Sequence, residues 1–98
     1  MRVTPAQRIP TPPGIILQRE FLEPLEITQR ALATHLKIPV RLVNEIIKGK
    51  RGIAPETAWL LADAFGTSPE FWSNLQTTHD LSLHRPKTHV VSLVPVQS

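Results

Sequence analysis

The sequence predicts an all-α fold of five short helices. Three observations carry that prediction. Apolar residues recur at helical spacings through most of the chain. Prolines and glycines stand where those periodic runs begin and end. Ten prolines against three phenylalanines, two tryptophans and no tyrosine disfavour a sheet, because strands select aromatics and exclude proline. At 98 residues, 41% hydrophobic and 19% charged, the chain has the make-up of one globular domain whose core is modest, which makes self-association plausible.

The elements follow in order. Residues 1–12 hold Pro5, Pro10 and Pro12, lack donors and should form an extended, flexible arm. A first helix can start at Pro13, with Ile16, Leu17, Phe21 and Leu22 as its apolar stripe, and Pro24 should end it. Thr28 is a good N-cap for a second helix, in which Ala31, Leu32, His35 and Leu36 fall at helical spacing; it must stop near Lys37. Pro39 can occupy the first turn of a third helix. There Leu42, Val43, Ile46 and Ile47 form the apolar side, while Arg41, Asn44, Glu45 and Lys48 share one polar face. Gly49 is its natural C-cap.

Lys50, Arg51 and Gly52 make a basic loop. Pro55 opens a fourth helix that Gly66 closes, with Ala58, Leu61, Ala62 and Phe65 facing inward. Ser68 caps a fifth helix carrying Phe71, Trp72, Leu75 and Leu81, and Pro86 lies beyond its end. The compact domain should therefore occupy residues 13–85, followed by a valine-rich tail, residues 86–98.

Several function classes drop out early. The chain has no cysteine, which removes disulfide scaffolds, thiol catalysis and cysteine-zinc sites. Its four histidines, His35, His79, His84 and His89, never pair at i+3 or i+4, so no metal or cofactor is expected. No glycine-rich phosphate loop or nucleophile motif is present, and Glu20 and Glu23 share a helix face without a partner base, so an enzyme is not expected. No apolar run is long enough for a membrane span, and no apolar segment near Met1 reads as a secretory signal, so a cytoplasmic protein is expected.

Charge is informative by position. The formal total is +3. Between Arg30 and Arg51, the six basic residues Arg30, Lys37, Arg41, Lys48, Lys50 and Arg51 face only Glu45, a local net of +5. Such a segment is either a solvated helix face or a nucleic-acid footprint. The arrangement favours the footprint: two short helices, Thr28–Leu36 and Pro39–Lys48, are separated by a tight turn that sets one against the other at a steep angle. Ala33 is small where they approach, and Leu32, Leu36, Ile38, Val43 and Ile46 seal the pair to the core. The turn departs in one respect, with Lys37 where a glycine would suit a left-handed conformation.

From Pro12 to Arg85 the chain resembles the lambda-repressor-like, or XRE-type, helix-turn-helix proteins, and within them the HigA antitoxins of bacterial toxin–antitoxin modules. The resemblance rests on PPGIILQREFLEPLEIT, QRALATHLKIP, RLVNEIIKGKRGIAPETAWLLADAFGTSPEFWSNLQ and the following HDL. It implies a five-helix DNA-binding domain that acts as a homodimer. It further implies an antitoxin that neutralises a RelE-like, HigB-type toxin cleaving messenger RNA, and that represses its own operon by binding double-stranded operator DNA. The alternatives are a solitary XRE-type regulator without a toxin and a protein-interaction module with an incidental basic face.

On this reading the third helix enters the major groove with its N-terminal end, where Pro39 and Val40 sit, and Val40 packs on a thymine methyl. Arg41 bonds guanine, Asn44 reads adenine or holds a phosphate, and Glu45 accepts from cytosine. Gln29 resembles the glutamine that grips a phosphate in this fold. Lys48, Lys50 and Arg51 hold backbone phosphates. Phe71, Trp72 and Leu75 exceed what one face of a small domain can hide, and are expected to form a dimer seam.

Overall fold

The computed structural model describes residues 10–95. All helices among them fall between Pro13 and Leu83, and none of the described residues forms a strand. Helix α1 is continuous over residues 13–25, but its middle is wound differently: Pro13–Ile16 and Glu23–Leu25 are α-helical, and Leu17–Leu22 is π-helical. Helices α2 (Gln29–Leu36), α3 (Val40–Ile47), α4 (Pro55–Phe65) and α5 (Pro69–Leu83) follow. Most of the arm, residues 1–9, lies outside the described residues, as do residues 96–98 of the tail.

The expectation that Pro24 ends the first helix is corrected: α1 runs through it to Leu25. A helical proline removes one i→i−4 bond and crowds the carbonyl four residues back. The π turn widens the helix just before that point, so that the Glu23 N–H donates to the carbonyl of Gln18, five residues back. The same winding explains why Leu17 and Leu22, five residues apart, are both buried. An α-helix would separate them around its circumference; an i→i+5 turn brings them together.

Helix ends follow local chemistry. The Ala31 N–H donates to Thr28 Oγ1 at 3.0 Å and the Phe71 N–H to Ser68 Oγ at 3.1 Å, so both expected N-caps form. Helices α1 to α4 are each followed within two residues by one in the left-handed region: Glu26 (φ 55°), Lys37 (φ 60°), Gly49 (φ 76°) and Gly66 (φ 69°). In each, the next N–H closes back on the helix, as in the bond from Ile38 to the Ala33 carbonyl at 3.0 Å. Lys37 thus occupies the glycine-like position of the α2–α3 turn. Pro39, with φ −64° and ψ 141°, is the N-cap of α3 rather than part of its first turn.

The core collects Leu17, Leu22, Leu32, Ala33, Leu36, Val43, Ile46, Ala58, Leu61 and Trp72. Gly14 sets the fit of α1 against α3. A Cβ at that position would lie 2.8 Å from both the Ile46 carbonyl carbon and the Ile47 Cα, so only glycine allows the two backbones to meet.

The expectation that Trp72 lies at a dimer seam is also corrected. It is 0% exposed, and its Nε1 donates to Thr67 Oγ1 at 2.8 Å. Phe21 of α1 and Phe65 of α4 enclose it, with Phe21–Trp72 centroids 5.1 Å apart and Phe21–Phe65 centroids 4.9 Å apart. Three helices, not one face, absorb the aromatic surplus. Phe71 stacks edge-on against Trp72 at 5.0 Å and keeps an outer edge in solvent. With Leu75, Ile16, Pro10 and Thr11 it lines an apolar groove of about 300 Å³ between α1 and α5.

Candidate nucleic-acid interface

The basic groups singled out above gather on α3, the loop after it, and the start of α2. Val43 and Ile46 are buried, which fixes the roll of α3 and turns Val40, Arg41, Asn44 and Glu45 toward the outside. Arg41 is the most projecting, with its side chain 83% exposed. Val40 is exposed at the same N-terminal end, just after Pro39. Lys48, Lys50 and Arg51 are exposed beyond the C-terminal end of the helix.

Two internal tethers organise this surface. Asn44 Nδ2 donates to Gln29 Oε1 at 3.2 Å, joining the start of α2 to the outer face of α3. Both residues are half-buried, so the bond sets the angle between the helices and positions the Gln29 amide at the N-terminus of α2, where backbone N–H groups favour anions. The second tether is Glu45. Its Oε1 accepts from Arg51 Nε at 3.0 Å, and its Oε2 lies 3.7 Å from Arg41 Nε. Its backbone carbonyl accepts from the Lys50 N–H at 2.8 Å and the Arg51 N–H at 3.3 Å. One residue therefore holds the loop and two arginines together. Glu45, read from the sequence as a base acceptor, is occupied within the chain as an organiser of its neighbours.

Gln76 of α5 is a supporting residue that sequence reasoning missed. Its Oε1 accepts from the Ile53 N–H at 2.8 Å, while its Nε2 donates to Asp80 Oδ1 at 2.9 Å. It clamps the basic loop onto α5, and Gly52 leaves room for it: a Cβ there would meet the Gln76 amide at 3.0 Å. Twenty-three residues separate Gln76 from Ile53, and no periodicity or motif connects them.

Among the described residues no group of three His, Asp or Glu side chains is placed to hold a metal, and no helix is long and apolar enough to cross a membrane. What the surface offers is a projecting guanidinium at a helix tip, amides beside it and ammonium groups flanking it. That combination suits base edges read from within a groove lined by phosphates.

A helix-turn-helix family model matches residues 18–72. The chain belongs to that family. It is 43% identical over 75 residues to antitoxin HigA-1 of Vibrio cholerae, covering 76% of this chain and 70% of that protein. It is 46% identical over 74 residues to an HTH-type transcriptional regulator of Haemophilus influenzae, covering 76% and 69%. The solved structure of Pseudomonas aeruginosa antitoxin HigA with the higBA promoter is similar at a TM-score of 0.74 and 42% identity, covering 76% of this chain and 80% of that one. The matched span includes α2, the turn at Lys37, α3 and the basic loop, so the XRE-type, HigA-like character expected from the sequence holds for the region that carries the basic surface.

Proposed function

We propose that this helix-turn-helix protein is a HigA-type antitoxin. It binds operator DNA as a homodimer, represses its own operon, and neutralises a RelE-like toxin. The observation that carries the DNA-binding part is the exposed tip of α3. Arg41 projects there beside Val40, with Gln29 and Asn44 locked together alongside and Lys48, Lys50 and Arg51 behind. Arg41 meets guanine in the major groove, Val40 the neighbouring thymine methyl, Gln29 and the lysines the phosphates. Asn44 supports Gln29 and reads adenine only where that bond is exchanged. The similar antitoxin HigA of Pseudomonas aeruginosa, whose structure is of the protein with the higBA promoter, supports DNA binding by this fold.

Two copies related by a two-fold axis would present their α3 helices about 34–36 Å apart, one turn of duplex, to a nearly palindromic site. The outer edge of Phe71 and the groove it lines with Leu75 are the seam we assign to that dimer, without Trp72. The test is binding of the purified chain to a labelled duplex from its own upstream region against a scrambled duplex, across a salt series. The expected result is preference for the upstream duplex, steep weakening with salt, and two chains per site by sedimentation. Equal binding of the two duplexes, or none, would refute it. A relative named as a transcriptional regulator favours the second reading, a solitary regulator. Growth rescue on co-expression with the product of the adjacent gene separates the two.

A further inference from the structure

From Gly52 to Leu83 the chain carries four carboxylates, Glu56, Asp63, Glu70 and Asp80, and not one lysine or arginine. Helices α4 and α5 are thus the electrostatic opposite of the α3 region. On the outer side of α4 stands Trp59, 61% exposed and the largest exposed apolar side chain of the helical domain. Thr57, Ala58, Leu61 and Ala62 hold the other side of α4 in the core. Glu56 precedes Trp59 by three residues and Asp63 follows it by four, so both share its face, and both are exposed. The other tryptophan of the chain is sealed in the core by a hydrogen bond and two phenylalanines; nothing in the fold requires Trp59.

We infer that the outer face of α4, centred on Trp59 between Glu56 and Asp63, docks a basic protein surface. An arginine laid across the indole gains a cation–π contact and finds a carboxylate on either side. An exposed tryptophan is also the kind of anchor on which binding energy concentrates. Duplex DNA does not fit, because its phosphates would meet two carboxylates. A second copy of this chain fits poorly: its densest basic cluster lies on the α3 side, and pairing that side with α4 of a neighbour gives an open head-to-tail chain. The inference rests on the antitoxin reading for its partner, which is then the toxin, held on the outer side of α4 rather than at the tip of α3.

The test uses the full chain and the small basic protein encoded beside its gene, with affinity measured by titration calorimetry. If the inference is correct, wild type forms the complex and Trp59→Ala weakens it by about 30-fold or more, the factor that corresponds to a strong interface anchor. The double variant Glu56→Lys, Asp63→Lys weakens it by at least about tenfold, most at low salt. Trp59→Ala keeps the wild-type melting temperature and affinity for the upstream duplex. If Trp59→Ala lowers the melting temperature, the charge-reversal variant decides. A wild-type complex that neither set of changes weakens beyond about threefold overturns the α4 site and leaves the antitoxin reading standing. No complex with the wild-type chain overturns both. Loss of self-association in Trp59→Ala would assign the face to a second copy and overturn the inference as well.

Discussion

Replacing Gly14 with alanine should loosen the seat of α3, although alanine is the better helix former. On propensity alone the change favours the folded chain by about 1 kcal/mol, because Gly14 lies within α1. The packing term opposes it. The added Cβ would stand 2.8 Å from the Ile46 carbonyl carbon and the Ile47 Cα, and closer still to the Ile46 carbonyl oxygen. Ordinary carbon–carbon contacts are about 3.5–4.0 Å, so the helices must part by roughly 1 Å. The obstructing atoms are backbone, and no rotamer change can yield. Overpacking of this kind costs about 1–3 kcal/mol, and the absence of a soft neighbour places it near 3. The net loss is then about 2 kcal/mol, a fall in melting temperature of roughly 8–16 °C for a domain of this size. Gly49→Ala is the control. Nothing lies within 4 Å of its Cβ and only its φ of +76° is violated, at about 1 kcal/mol. Thermal melts followed by circular dichroism compare the two. A Gly14→Ala melt at or above wild type, or a smaller loss than Gly49→Ala, would refute the argument that this glycine exists for the α1–α3 contact.

Arg41→Ala should weaken binding to the upstream duplex by about 1–3 kcal/mol and leave binding to a scrambled duplex almost unchanged, as measured by fluorescence anisotropy. Lys50→Ala should instead weaken both duplexes alike and flatten the dependence of log K on log salt by about one unit. Glu45→Gln frees Arg41 and Arg51 and removes a negative charge; it should tighten binding to both duplexes several-fold. A collapse of upstream binding alone would return Glu45 to direct base contact. Lys37→Gly relieves a left-handed lysine at φ 60° and should raise the melting temperature by roughly 4–8 °C, for about 1 kcal/mol gained.

The helix boundaries were legible because their causes are local. Thr28 and Ser68 cap N–H groups three residues away, and Gly49 and Gly66 accept a conformation their neighbours resist. The roll of α3 was legible for a similar reason, since Val43 and Ile46 lie on one side of a single helix. Periodicity is silent where a run is apolar all round: Ala58 to Ala62 reads apolar at every position, so nothing local says that Trp59 faces out. Trp72, conversely, is hidden by Phe65 of the preceding helix and by Phe21, which lies far away along the chain and comes to it only in the fold. The reading that turned Trp72 outward counted only the helix that carries it. The π turn shows in outline as the five-residue spacing of Leu17 and Leu22, but the same residues also fit an α-helical stripe that Pro24 would end.

Glu45 sets the state from which the basic surface would meet DNA. Six cations around α2, α3 and the following loop would grip any duplex through its phosphates, and that grip carries no sequence information. Exposed ion pairs are each worth under about 1 kcal/mol, so the ties from Glu45 to Arg51 at 3.0 Å and to Arg41 at 3.7 Å do little for stability. Their effect falls on the reference state for binding. On non-specific DNA the arginines keep their internal partner, and the carboxylate opposes the nearest phosphates. At a site where a guanine stands opposite Arg41, a bidentate contact worth about 1–3 kcal/mol outweighs the tether it replaces. On the proposed assignment the tether is given up only where Arg41 reaches a base, so the carboxylate lowers affinity for a matched site by at most the worth of that ion pair, and a wrong base that offers less than the tether leaves Arg41 with its internal partner.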